Sequence, residues 1–466
     1  MKKYWYIILV WLMLPLMAIG QARPDTLGIR DYYELIGEFH PIAHQALLIT
    51  QRGALAISEA RGAFDPKLVS NFDSKNFGGS DYYDVWDSYL QIPTFLNLDL
   101  KAGFEKHSGV FLNPERTVPE DGLYYAGVSI PIGQGLINHP RRIALRRGEI
   151  TNQQLATQAV QVLNNLVLDA THIYWNWYER YQKYEITRSN LDLIQERFEG
   201  IRSSAINGDL APIDSTEALI QVQQWTNALR KAEVDLFKSK LLLQNFIWTD
   251  SLNIENLVPQ LSPGAVSEGL DIYLNLATNH PEWQLLQLEN ADLDLDRRMS
   301  QERLKPVLNL DYQVLLGQTN DSEMGDYLAN NYKVGVLFEF PVLLRKERAK
   351  LKTAKLKLQE NELKQDVQFR KISNRIREAF NTTNNLESMI DQQREMIINY
   401  QRLLRGEQMK FDNGESSIFL INSRQNSALE AQMKLIELIS EFGKSVGVLK
   451  WSGGQFGDEL LSGFEM

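Results

Sequence analysis

The chain has 466 residues, a formal net charge of −10 and not one cysteine. The acidic balance disfavours nucleic acid as the main partner. The missing thiols exclude disulfide frameworks, zinc–thiolate sites and thiol catalysis. About two to four compact domains would be ordinary for this length, but the repeats described below point instead to one elongated body.

The N-terminus opens with Lys2-Lys3, continues as an apolar run from Tyr4 to Met17 and ends Ala18-Ile19-Gly20. A basic start, an apolar stretch and small residues at the end describe a secretory signal peptide over 1–20. The run is short for a spanning helix, and no other stretch approaches the required length. Without a cysteine a lipid anchor at the cleavage point is excluded as well. An exported chain of this kind is left with the periplasm, the exterior or an outer-membrane β-barrel.

Residues 21–62 predict a linker followed by one or two helices, with Pro41 at a first helical position. His40 and His44 have the spacing of two metal ligands on a helix, but the glutamate of the H-E-x-x-H pattern is absent, which favours a structural role. From 64 the character changes. Asp73, Asn76, Gly78-Gly79 and Asp81 suggest an exposed polar loop, followed by the aromatic cluster Tyr82, Tyr83, Trp86 and Tyr89. Alternating apolar and polar residues then predict strands over about 89–101 and 123–132.

A long helical arm begins at Arg141, reaches a turn at Gly208-Asp209 and returns over 214–248, forming an αα-hairpin over 141–248. The return arm carries a heptad seam through Ala218, Val222, Trp225, Leu229, Ala232, Leu236, Ser239, Leu243 and Phe246. Asp214 with Glu217 reads as a capping box at its start. In the long arm, Tyr174, Trp175, Trp177, Tyr178, Tyr181 and Tyr184 surround the helix on all sides. Something must cover every face there; residues 249–270 and the C-terminal tail are the expected cover.

The second half repeats the first. His40-Pro41 precedes Asp65-Pro66 by the interval that separates His280-Pro281 from Lys305-Pro306. Ser129-Ile130-Pro131 leads into one basic arm as Glu339-Phe340-Pro341 leads into the other. Alternation predicts strands over about 306–317 and 332–340, separated by a loop at Thr319-Asn320-Asp321. A second hairpin follows over 344–451, turning at Asp412-Asn413-Gly414. Its seam runs Ile372, Ile376, Ala379, Thr383, Leu386, Ile390, Gln393, Ile397, Tyr400 and Leu404, with two polar gaps. The organisation is therefore a signal peptide, a first repeat (21–248), a linker (249–270), a second repeat (271–451) and a tail (452–466). Four strands of about ten residues suit a tilted membrane crossing. Four alone cannot close, so several chains are needed. Arg141, Arg142, Arg345, Lys346 and Arg348 follow the strands and would lie at the membrane interface, near lipid phosphates.

The duplicated plan, the Gly-rich turns with Asp214-x-x-Glu217 after the first, and the passage from Ser129 to Arg142 followed by Ala144-Leu145 resemble the TolC-like outer membrane efflux proteins. These are the outer membrane factors of tripartite efflux and type I secretion systems. The resemblance covers essentially the whole mature chain. It implies a mainly α fold with membrane β: a homotrimeric, twelve-stranded β-barrel, four strands per chain, continuing into a periplasmic α-helical barrel. It implies a passive exit duct with no catalytic, cofactor or metal residues. The partners would be a periplasmic adaptor and an inner-membrane pump of RND, ABC or MFS type. The adaptor-docking tip would comprise Gly208, Asp209, Leu210, Ala211 and Pro212 with Gly414, Glu415, Ser416 and Ser417. Family members ring the aperture with two aspartates after the second turn. This chain places Leu420 and Ser423 there, leaving Glu415 or the first-turn pair Asp214 and Glu217 to supply acidic charge. No phosphate-binding loop or nucleophile motif favours an enzyme. A secreted coiled-coil scaffold or adhesin is the alternative, but it leaves the strand pairs unexplained.

Overall fold

The computed structural model describes residues 26–249, 254–262, 264, 268–317 and 330–457. The signal peptide, the loop at 319–321 and the end of the tail lie outside the described residues. In chain order the elements are β1 (Thr26–Leu27), α1 (Ile29–Phe39), α2 (Pro41–Arg61), β2 (Lys67–Phe77), β3 (Ser80–Pro93), β4 (Asp99–Ser108) and β5 (Leu123–Pro131). Then come α3 (Pro140–Asn207), α4 (Pro212–Gln244), β6 (Val258–Pro259), α5 (Leu270–Leu276), α6 (Pro281–Glu302), β7 (Val307–Leu316) and β8 (Tyr332–Glu339). Two helices end the series, α7 (Arg345–Asp412) and α8 (Ile418–Ser452). The duplication is visible in the long arms, since α3 and α7 each hold 68 residues. At about 1.5 Å per residue each is roughly 100 Å long. Among the described residues no helix is long and apolar enough to cross a membrane.

Two compact units emerge, and neither is one of the sequence repeats. The first takes Met1–Pro41, Leu166–Ser267 and Ala379–Leu449; the second takes Ile42–Asn165, Glu268–Glu378 and Lys450–Met466.

In the first unit the aromatic stretch of α3 is the core. Tyr174, Trp175 and Trp177 are at most 1% exposed. The Tyr174 hydroxyl donates to the carbonyls of Leu27 (2.9 Å) and Gln260 (2.8 Å), pinning the small parallel β1–β6 sheet. Helix α8 covers Trp175: Ser440 donates to its backbone carbonyl at 2.8 Å, and a Cβ at Gly443 would overlap the indole. The cover is thus α1, α8 and Gln260. The described part of the tail packs elsewhere on α3, with the Phe456 amide donating to Asn164. The heptad seam of α7 is buried from Ile372 to Gln393 and half-buried at Ile397, Tyr400 and Leu404. Its polar gaps are satisfied, because Thr383 bonds Ser445 and Gln393 donates to Ala431 O. His40 is buried against the rings of Phe246 and Trp248, whereas His44 is exposed.

The second unit holds an antiparallel sheet of six strands in the order β2-β3-β4-β5-β7-β8, not the expected four. Two local features account for the difference. Gly78 and Gly79 both have positive φ (65° and 80°) and form a two-residue hairpin turn, so the expected polar loop is the tip of β2–β3. The expected strand 89–101 is broken in the middle. Pro93 has no N–H for the ladder, Asn97 takes φ 64°, and the chain turns back with Thr94 N–H donating to Leu98 O. Residue 89 therefore belongs to β3 and residue 101 to β4.

At the end of α6, Glu302 is 2% exposed. It accepts from Gly135 N–H at 3.1 Å and from Lys305 at 3.0 Å. Asn97 donates to Gly135 O. Together they lock the strand-to-helix passage 132–139. His280 caps α6, accepting from Glu282 N–H at 3.2 Å. Burial, with Arg375 acting in the same sense against the opposing Glu282, lowers its pKa to about 4.

Candidate functional site

The two helical turns are built alike. Gly208 (φ 87°) and Gly414 (φ 78°) follow α3 and α7, where only a residue without Cβ turns left-handed at no cost. In the first turn, Asp209 N–H returns to Ser204 O and Gly208 N–H to Ala205 O; in the second, Glu415 N–H returns to Lys410 O and Gly414 N–H to Phe411 O. The loops then reach Pro212 and Ile418, where the return helices begin. The expected capping box at Asp214 is not formed. Proline at the first helical position starts α4 earlier, with Ala211 as N-cap, so Asp214 lies inside the first turn.

The structure brings the two turns together. Ile201, Ala218 and Ile418 form a small core joined by Phe198, Leu210 and Phe411. Ser416 donates to Glu407 at 2.6 Å, and Arg424 lies 3.7 Å from the same carboxylate. The Ser416 hydrogen bond, then Lys410 and Arg424, hold the Glu407 carboxyl below its ordinary range. Around this core Gly208, Asp209, Ala211, Pro212, Gly414, Glu415 and Ser417 are exposed. Leu420 and Ser423 are exposed as well, and Asp214 and Glu217 are half-buried. Sequence reasoning missed Glu407, Arg424 and Phe411. Only the position of Phe411 beside the turn signals its part; the other two look like ordinary surface charges.

The basic residues divide. Arg141 makes a two-pronged pair with Asp99 (2.6 and 2.8 Å), and Arg142 donates to the carbonyls of Leu136 and Ile137. Arg141 is thus turned to its own chain rather than outward, because the passage 132–139 brings β4 and the start of α3 together. Arg345, Lys346 and Arg348 are exposed.

The sheet has two chemically distinct faces, fixed by the pairing register. Residues directly opposite across an antiparallel ladder share a face. Starting from Phe72, the partners run Trp86, and from Ser88 they run Phe104, Tyr124 and Leu316. One face therefore carries Leu68, Phe72, Trp86, Leu90, Leu100, Phe104, Tyr124, Val128, Leu310, Tyr312, Val334, Val336 and Phe338, with the polar Ser70, Ser88 and Lys106 among them. Many of these are wide open: Leu68 is 80% exposed, and Phe72, Val336 and Phe338 are 65% each. The other face carries Lys67, Asn71, Asp73, Asp87, Lys101, Glu105, Asn309, Asp311, Gln313, Lys333 and Glu339. Among the described residues no group of three potential metal ligands occurs.

No protein-family model matches the sequence, and no curated protein matches it. Solved structures do match in shape. The Campylobacter jejuni CmeC outer membrane channel aligns over 93% of this chain and 88% of its own, with TM-score 0.66 and 12% identity. Vibrio cholerae VceC, an outer membrane protein, aligns over 91% and 96%, with TM-score 0.63 and 13% identity. The open state of the Neisseria gonorrhoeae MtrE outer membrane channel aligns over 91% and 88%, with TM-score 0.64 and 11% identity. The chain has the fold of the TolC-type outer membrane channels. This is the fold that the strand-to-helix passage and the paired turns implied.

Proposed function

We propose that the chain is the outer membrane channel-tunnel of a tripartite export system. It conducts substrates passively and performs no chemistry of its own. Three copies assemble in the outer membrane, with a large periplasmic part, after cleavage of a signal peptide at 1–20. The helical tip, with Gly208–Pro212 and Gly414–Ser417, docks onto a periplasmic adaptor that an inner-membrane pump of RND, ABC or MFS type feeds.

The observation that carries this reading is the two-faced sheet. An apolar face this extensive, exposed on every strand, has no place in water, and the opposite face is polar enough to line an aqueous lumen. In lipid the two free sheet edges must be paired, which requires further copies. The helices support the same conclusion. Leu219, Val234, Phe237 and Leu241 of α4 and Leu356, Leu363 and Val367 of α7 are 40–67% exposed in a single chain and suit lateral packing between copies. A secreted scaffold would leave both surfaces in solvent.

Planar-bilayer conductance of the detergent-purified protein, with its native mass, tests the reading. Discrete channels from a trimer are expected; a non-conducting, water-soluble rod would end it. Deleting Gly208–Ile213 should abolish export while the oligomer still assembles.

A further inference from the structure

The outer strands of the sheet, β2 and β8, are its free edges. Every ladder is antiparallel, so six strands leave these two edges running in opposite directions. They can pair antiparallel with each other between copies. The register is fixed by the sheet itself. The row that starts at Lys67, the first residue of β2, passes through Gln91, Lys101, Gly127 and Gln313 and ends on Lys333, near the start of β8. Strand ends thus step steadily along the sheet, and Glu339, the end of β8, lies six residues beyond that row.

We propose that β8 of one copy pairs with β2 of the next, Glu339 opposite Lys67 and Lys333 opposite Asp73, so that all six strands of each copy enter the barrel. This rests on the outer-membrane reading above. Six strands from each of three copies make eighteen, in place of the twelve that four per chain would give.

Four observations converge on this seam. In that register the charged residues of the polar face meet opposite charges at both ends. Among the described residues none of Lys67, Asp73, Lys333 and Glu339 has an ion-pair partner in its own chain. A shift of two residues one way sets Lys333 against Lys75; the other way sets Glu339 against Asp65. A shift of one turns apolar side chains to the lumen. Second, on the apolar face the same register sets Leu68 against Phe338 and Phe72 against Val334, all at least 51% exposed. Third, a stagger of six residues is about 20 Å along the strands, over about 29 Å for six strands, which is a tilt of about 35° and the geometry of membrane barrels.

Fourth, the sequence landmarks locate the additional strands. Pro66 and Pro131 are 65 residues apart, whereas their counterparts Pro306 and Pro341 are 35 apart. The surplus matches one inserted hairpin, β3–β4 over Ser80–Ser108. That hairpin shares the apolar belt through Trp86, Leu90, Ile92, Leu100 and Phe104. Because barrel diameter grows roughly in proportion to strand number, the outer pore would be about half as wide again as a twelve-stranded one.

The full chain lacks cysteine, so paired cysteines give a clean test. Val69→Cys with Leu337→Cys, opposite each other in the proposed register, should oxidise in isolated outer membranes to a reducible ladder ending at three copies. The shifted pair Asn71→Cys with Leu337→Cys should yield at least ten-fold less. Faster linkage of the shifted pair overturns the register. A conducting outer-membrane oligomer that links at neither pair overturns six-strand closure and leaves the channel reading intact. A chain absent from the outer membrane and without conductance brings down the channel reading itself. As a second variant, Lys67→Glu should weaken the ladder, and adding Glu339→Lys should restore it; no restoration counts against the charge pair.

Discussion

His280 makes stability sensitive to acid. Its imidazole is 1% exposed and titrates at about 4 in the folded chain, against an unperturbed value near 6.5. Between these values the unfolded chain binds a proton that the folded chain does not. Stability present above pH 6.5 is therefore lost as pH falls toward 4. Urea midpoints in detergent should show a loss on the order of 1–2 kcal/mol from pH 7 to pH 5. His280→Asn retains a capping acceptor for Glu282 N–H and should lose less over the same interval; an equal loss would place the acid sensitivity elsewhere. Glu302 is a second residue with local leverage. Glu302→Ala leaves Gly135 N–H and Lys305 without their acceptor and should cost about 1–3 kcal/mol in thermal unfolding, with Glu302→Gln recovering part of it. Neither role could be read from sequence. Glu302 three residues before Lys305 looks like a surface helix pair, and its amide partner Gly135 is 167 residues away.

At the scale of elements, the strands divide by composition. In β8 the alternation of Val334, Val336 and Phe338 with Lys333, Gly335 and Glu339 was legible, and the register assigns those apolar residues to the apolar face of the sheet, which meets lipid in the proposed channel. Val336→Arg should therefore impair insertion, by roughly 2–4 kcal/mol per chain near the midplane. Arginine at Leu337, on the opposite face, should be tolerated. Heat-resistant oligomer in outer-membrane fractions measures both, and equal effects would contradict the facing. The β2–β3 hairpin was not legible as strands, because Asn71, Asp73, Ser74, Lys75 and Asn76 around Gly78-Gly79 have the composition of a loop. Ladder bonds to β3 and β4 outweigh that local preference. The helical turns were legible because glycine at a left-handed position carries its own signal. Which helix starts there was not: proline at position 212 won over the aspartate two residues later.

For the whole molecule, the compact units were not readable, since each takes pieces from both halves of the chain and sequence order hides that exchange. The inserted hairpin was recorded in the landmark intervals and shows its meaning only once the strands are paired. In the proposed six-strand closure it also makes the barrel width separable from the rest of the fold. Excising Gly78–Ser108 removes the turn and two whole strands, so side-chain facing is preserved; the row from Lys67 through Gln91 and Lys101 to Gly127 closes to Lys67 opposite Gly127. The loop 109–122 remains to connect β2 with β5, and the second repeat already pairs its strands β7 and β8 without any insert. The shortened chain should assemble with four strands per copy and a barrel about two-thirds as wide. Graded polyethylene glycols added to the outer side during bilayer conductance measure that width. The largest polymer that enters should shrink clearly in the excised chain, and an unchanged limit would mean that the hairpin does not line the pore.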